Sequence, residues 1–202
     1  MDRKTLFQLS YGLYIVSTKN NDKFAGCVVN TITQLTSTPT TIMVCINKDN
    51  FTNHCINQTK EFAVSILSEK VKESIIGDFG FHSSKDKNKF ADLSYTLTPS
   101  GIPYLTEGVC GFLQCKVINA IDNYTHTLFI AEVQNAEILS KETPLTYSYY
   151  HNVIKGKTPP KASSFNPDAE TITTQTTAKY KCSVCGYIYP NSKEEFELLP
   201  SD

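Results

Sequence analysis

Apolar residues along this chain fall into short, dense runs broken by polar turns. The runs "LYIVSTK" (13–19), "FAGCVVNTITQLT" (24–36), "TTIMVCINK" (40–48) and "EFAVSIL" (61–67) are rich in β-branched and aromatic side chains. Each predicts a β-strand, and "NND" between the first two predicts a hairpin turn. Two longer strand texts, "GVCGFLQCKVINAI" (108–121) and "THTLFIAEVQNAEIL" (125–139), are joined by "DNY" and predict a long antiparallel hairpin. Helical spacing of apolar residues is confined to "FTNHCINQTK" (51–60) and "SEKVKESIIGDFG" (68–80). Many strands, short turns and few helices predict a mainly β fold with flanking helices, a closed or nearly closed antiparallel barrel over residues 1–157.

The pattern then changes. "GKTPPKASSFNPDAETITTQTTAKY" is dominated by Pro, Ser, Thr, Lys and Ala without periodicity. It predicts an extended linker over 158–178. After it, 179–202 carries "YKCSVCGYIYP". C-x-x-C in a tight turn lets two thiolates face one Fe or Zn ion, and a glycine after the second cysteine eases the turn. Cys182 and Cys185 are half of a four-sulfur ligand set, and no further cysteine follows them in the sequence. Two thiolates alone do not complete the site, so this segment is expected to hold no iron as it stands, unless two chains pool their cysteines.

Composition narrows the function. A formal net charge of −1 over 202 residues does not suit nucleic acid. No apolar run approaches a membrane span, and the first residues lack a signal-peptide core, so a cytoplasmic protein is expected. Seven cysteines, an odd number, argue against a secreted disulfide framework. Cys27, Cys45, Cys55, Cys110 and Cys115 read as small core residues.

The chemistry-bearing stretch is "NTITQLTSTPTTIMVCINKDNFTNHCI" (30–56), dense in small polar side chains beside strands. Asn30, Thr31, Gln34, Thr36, Ser37 and Thr38 supply hydroxyls and amides, and Thr52 and Asn53 open a predicted helix whose free amides favour an anion such as a phosphate monoester. Ser, Thr and Asn also populate turns and caps, and chemistry alone favours that plainer reading.

"LSYGLYIVST", "GCVVNTITQLTSTPTTIMVCINKDNFT" and "PLTYSYYHNVIKGKTPPKA" resemble the flavin reductase-like family, whose members have an FMN-binding split barrel. The last motif is similar to the subgroup in which this barrel is fused to a C-terminal rubredoxin. "YKCSVCGYIY" resembles the first rubredoxin knuckle, and "FELLPSD" the run before the second. The second knuckle itself is expected beyond Asp202.

The resemblance implies one FMN per barrel in a homodimer, with the flavin ring near the subunit interface. Asn30, Thr31, Gln34, Thr36 and Ser37 should then line the ring and phosphate, and Asn47, Lys48, Asn50 and Thr52 continue the pocket. Lys48 reads either as a counter-charge to the phosphate or as a solvated turn lysine. Backbone amides of Val29 and Thr31 would face the pyrimidine edge. Phe79, Gly80 and His82 would stand near the ring or its entrance. His126 matches a position near flavin and nicotinamide, and His151 one that approaches from the partner subunit. His54 and His82 read as structural or solvated.

The implied activity is electron transfer from NAD(P)H or a reductase through FMN to an iron centre and a redox-protein acceptor. A plain NAD(P)H:flavin reductase and a non-catalytic metal-binding adaptor are the alternatives. Without a G-x-G-x-x-G fingerprint, a nicotinamide would bind on the flavin rather than in a dedicated site.

Overall fold

The computed structural model describes residues 2–21 and 23–166 and the strand pairs Tyr180–Lys181 and Ile188–Tyr189. The chain forms two compact units, Met1–Phe165 and Asn166–Asp202.

In the first unit a 3-10 helix, Arg3–Gln8, precedes strands β1 (Tyr14–Asn20), β2 (Lys23–Val29), β3 (Ile32–Ser37) and β4 (Thr40–Asn47). Then come helix α1 (Phe51–Thr59), β5 (Glu61–Leu67), α2 (Glu73–Phe81), the short β6 (Tyr95–Leu97) and β7 (Pro103–Leu105), the long β8 (Val109–Asn123) and β9 (His126–Ile138), and α3 (Tyr147–Asn152). In the second unit β10 (Tyr180–Lys181) pairs antiparallel with β11 (Ile188–Tyr189). Cys182 and Cys185, with the rest of the stretch 182–187 between these strands, lie outside the described residues.

Seven strands form one sheet in the order β2-β1-β5-β8-β9-β4-β3, every pairing antiparallel. The two edge strands, β2 and β3, are consecutive in sequence, and only Asn30 and Thr31 join them. In a flat sheet those edges would stand roughly 29 Å apart. Two linking residues span roughly 11 Å at most. The sheet therefore curls until its edges meet, and the short link sets the position of the seam. The β3–β4 ladder runs one residue back into this link, where Cys45 N–H donates to the Thr31 carbonyl at 3.1 Å. The run 24–36, which reads as one strand, is cut at this link because the chain must cross from one edge of the barrel to the other.

Alternation along the strands sorts most buried side chains to the inside or the outside of the barrel, with a smaller third cluster of Ala63, Ile102, Tyr104 and Phe112. Inside the barrel lie Val16, Cys27, Val29, Ile42, Val44, Ile46, Phe62, Val64, Cys115 and Phe129, closed at one end by Ile56 of α1. Outside it, Ile15, Leu67 and Val109 pack under Ile75, Ile76 and Phe79 of α2 and Tyr150 of α3. Fully burying one such Val, Leu, Ile or Phe stabilises by roughly 1.5–3 kcal/mol.

Helix α1 starts where predicted because the Asn50 side chain accepts from Thr52 N–H at 3.0 Å, and it ends at Lys60 in the left-handed conformation, φ 58°. Helix α2 starts at Glu73, later than the sequence pattern suggests. The segment before it instead bonds across the fold, Ser68 N–H donating to Gly108 O at 2.9 Å and Glu69 N–H to Thr143 O at 3.0 Å. Strands β6 and β7 and helix α3 were not predicted. Among the described residues no helix is long and apolar enough to cross a membrane.

Candidate flavin site at the barrel seam

The seam opens into a cleft. One wall is the end of β2 with its link, Cys27 to Asn30; the opposite wall is the end of β4, Cys45 to Asn47, with Asn50 behind it. Phe79 and Gly80 of α2, Tyr147 and Tyr150 of α3, and His126 at the start of β9 complete it.

Local chemistry explains why these residues stay in place. Buried Lys89 donates to Gly26 O at 2.8 Å and to Phe79 O at 3.3 Å, and Ser84 brackets the same glycine, accepting from its N–H at 3.0 Å. The edge of β2 is thus satisfied by side chains just before it reaches the cleft. Gly26 is required there, since a Cβ would come within 2.8 Å of the Phe79 ring. Burial pulls the Lys89 pKa down to about 8, against the attraction of Cys27 and Asp78. Across the seam, buried Asn53 donates to Ile46 O at 3.0 Å, fixing the β4–α1 corner that presents Asn47 and Asn50.

Half of the residues expected from the sequence to hold the flavin come together here, and half do not. Val29, Asn30, Asn47, Asn50, Phe79, Gly80 and His126 line the cleft. Thr31 stands at its rim, its hydroxyl donating to Asn30 Oδ1 at 3.0 Å. Gln34, Thr36 and Ser37 lie farther along β3 and are exposed; the Thr36 hydroxyl meets that of Thr41 at 2.6 Å. Lys48 points away to Asp122, 2.5 Å distant on the surface. Thr52 is fully buried under the helix start. His151 packs behind the cleft, edge-on to Tyr147 at 4.3 Å between ring centroids. His82 lies 3.8 Å from Asp78 at the surface, and His54 is exposed on α1.

His126 has its Nδ1 2.8 Å from the Thr125 hydroxyl. Burial lowers its pKa, and the nearby Lys161 carbonyl acts the other way. Cys27 is a buried thiol in the cleft wall; burial pushes its pKa up to about 11, although Lys89, Thr52 and Asn50 all draw it down.

Several cleft residues escaped the sequence reading. Lys157, Thr158, Pro159, Lys161, Ala162 and Ser163 also line the cleft. All but Lys157 fall in the stretch expected to be linker, whereas the first compact unit runs on to Phe165. Asn30 Nδ2 donates to Ser164 Oγ at 2.6 Å, and Asn47 Nδ2 to Lys161 O at 3.3 Å. Lys161 Nζ lies 3.1 Å from Asp49. Tyr147 OH meets Thr158 Oγ1 at 2.5 Å and accepts from Ser164 Oγ at 2.9 Å. The aromatic density of "YSYYH" was the available signal for Tyr147 and Tyr150. Nothing periodic marks the segment after them.

The sequence pattern of the flavin reductase like domain matches residues 6–154. The chain is 42% identical over 190 residues to a high molecular weight rubredoxin of Moorella thermoacetica, covering 94% of this chain and 83% of that protein. It is 39% identical to a ferric-chelate reductase (NAD(P)H) of Archaeoglobus fulgidus, covering 82% of this chain and 98% of the relative. Among solved structures, the NADH:FAD oxidoreductase SgcE6 of Streptomyces globisporus superposes with a TM-score of 0.65 at 22% identity, covering 71% of this chain and 85% of that one. The flavin reductase PheA2 superposes with a TM-score of 0.61 at 24% identity, covering 71% and 89%.

Proposed function

This chain belongs to the flavin reductase-like family, and from that premise we propose that it is an FMN-dependent oxidoreductase. It takes electrons from NAD(P)H or a reductase and passes them towards a rubredoxin-type iron centre and a downstream acceptor. The observation that carries the reading is the seam cleft, where three asparagines and a histidine with a lowered pKa face an apolar and aromatic wall.

The residues fit a flavin. Asn30 and Asn47 supply amide donors and acceptors for a heteroaromatic edge, and Phe79, Tyr147 and Val29 supply flat apolar contact. When bound, FMN supplies the exchange between a two-electron donor and one-electron acceptors. The protein's part is to hold and orient. His126, whose charged form burial disfavours, offers a ring nitrogen for hydrogen bonding at the mouth. We assign the exposed hydroxyls of Thr36 and Ser37, on the strand that leaves the cleft at Thr31, to the phosphate end of the cofactor. Exposed Leu35, Ile118, Ile121 and Ile138 on the same sheet support a homodimer. Cys182 and Cys185 are proposed as two of four thiolates of the iron centre, with the remainder from a second C-x-x-C.

A plain NAD(P)H:flavin reductase is the second reading. It is favoured by the ferric-chelate reductase, which matches over 98% of its own length. Anaerobic stopped-flow absorbance separates the two. Slow bleaching of bound FMN by NADH, with fast bleaching by a reductase or fast reoxidation by an iron–sulfur acceptor, is the expected result. Rapid bleaching by NADH alone and no transfer to such an acceptor points to the plain reductase. A chain that binds no flavin sinks both.

A further inference from the structure

The segment Thr158–Phe165 lies in the cleft and uses up its polar groups. Both functions of the Asn30 side chain are engaged, Nδ2 by Ser164 Oγ at 2.6 Å and Oδ1 by Ser163 Oγ at 3.3 Å. The Thr31 hydroxyl meets Ser163 Oγ at 2.6 Å. Asn47 Nδ2 reaches the Lys161 carbonyl at 3.3 Å, and that carbonyl also lies against His126. A backbone carbonyl and two hydroxyls thus stand where the carbonyls and hydroxyls of a ligand would accept and donate. With the segment in place the cavity volume is about 70 Å³, far below the roughly 300–1,000 Å³ of small-molecule sites.

The same segment is weakly held. None of residues 158–165 is fully buried. Its attachments are hydrogen bonds, one exposed ion pair (Lys161 with Asp49) and contacts of Pro159 beside Gly80. Ordering eight residues costs conformational entropy, and the strap sets against it seven side-chain hydrogen bonds and an ion pair, all exposed or part-buried, with no fully buried side chain, which places it at the low-stability end of the fold. Its anchor is firmer. Gly156 N–H donates to Tyr150 O at 3.0 Å, and Tyr150 OH to Lys157 O at 3.2 Å. A Cβ at Gly156 would fall on the Tyr150 ring. A fixed end at 156–157 followed by a loosely held stretch is the arrangement of a hinged strap.

We propose that residues 158–165 form a gate that occupies the flavin site as an internal surrogate ligand and swings out about Gly156–Lys157 when FMN binds. The gate rests on the flavin-site reading above, and it regulates that site: strap and cofactor compete for Asn30, Thr31 and Asn47. Competition of this kind lowers apparent affinity by the fraction of time the strap is out.

The test uses the full chain, trypsin and FMN. The strap offers tryptic bonds after Lys157 and Lys161. Saturating FMN is expected to speed cleavage after Lys161 several-fold, followed by mass spectrometry of the fragments. Protection by FMN, or no change, makes the strap a fixed wall and overturns the gate. In parallel, the double variant Ser163→Ala/Ser164→Ala removes three of the surrogate contacts. FMN affinity, read from quenching of flavin fluorescence, should rise by about fivefold or more; an unchanged or weaker affinity overturns the gate. Binding by wild type with strap protection defeats the gate alone. Binding by the variant only supports the gate. Binding by neither chain removes the flavin site itself and the gate with it.

Discussion

Asn30 and Ser164 stand 134 positions apart in sequence, yet their side chains meet at 2.6 Å across the mouth of the cleft. Asn30 thereby serves both the strap and, on the proposed function, the cofactor. Asn30→Ala should have two effects together: faster tryptic cleavage after Lys161 without FMN, and FMN affinity lower by about 1–2 kcal/mol. The serine variants should raise affinity, so the two substitutions move binding in opposite directions. Limited proteolysis with fluorescence titration checks both, and an unchanged affinity in Asn30→Ala removes that residue from the flavin site.

Thr36 and Ser37 are exposed beyond the rim of the cleft. If the phosphate lies along β3, Thr36→Ala/Ser37→Ala should weaken FMN by about 1–3 kcal/mol, the usual range for hydrogen bonds to a charged group. Riboflavin, which lacks the phosphate, should bind the variant and the wild type equally. Equal loss for both ligands, or loss for neither, places the phosphate elsewhere.

His126 lines the cleft with a pKa held below its ordinary value of 6.5 by burial. His126→Ala should leave FMN bound and slow its reduction by NAD(P)H. Because burial lowers this pKa, any dependence of the wild-type rate on this group should be centred below pH 6.5. Stopped-flow traces across pH decide it. An unaltered rate in His126→Ala returns the residue to a structural role.

Lys89 is 4% exposed and carries a pKa lowered to about 8, against 10.5 when unfolded. Between those values the unfolded chain holds a proton that the folded chain has released. Raising the pH therefore opposes unfolding, and this group adds stability as pH climbs from 8 to 10.5. Lys89→Met lacks that gain and leaves the Phe79 carbonyl without its lysine donor, at a cost of about 1–3 kcal/mol. Urea unfolding of both chains at pH 7 and pH 10 measures it. A stability difference that does not change with pH shows that Lys89 does not titrate in this range.

Dense runs of β-branched and aromatic residues, bounded by polar turns, were enough to determine most of the barrel strands. The run 61–67 reads as a strand and forms β5 over those residues. The hairpin of 108–121 with 125–139 reads from its apolar density and turn residues, and β8 pairs with β9 as expected. These elements are legible because side-chain period and turn chemistry are local properties. Asn30 stood out by its polar neighbourhood, whereas Asn47, Asn50, Phe79 and His126, which also line the cleft, were picked out only through family resemblance, since the same amide and hydroxyl types serve turns and caps throughout this chain.

Tertiary structure alone decided two matters. The first is that the strand-like run 24–36 must break at Asn30–Thr31: the seven-stranded order puts β2 and β3 on opposite edges, so one short link becomes the barrel's seam and part of the cleft wall. The second is that "TPPKASSF", expected as linker, lies in the cleft. Its composition carries no periodic signal, because its partners are the side chains of Asn30, Thr31, Asn47 and Tyr147 rather than its own neighbours. A local pattern records what a residue does with the next turn of chain. It does not record hydrogen bonds made to strands more than a hundred residues away.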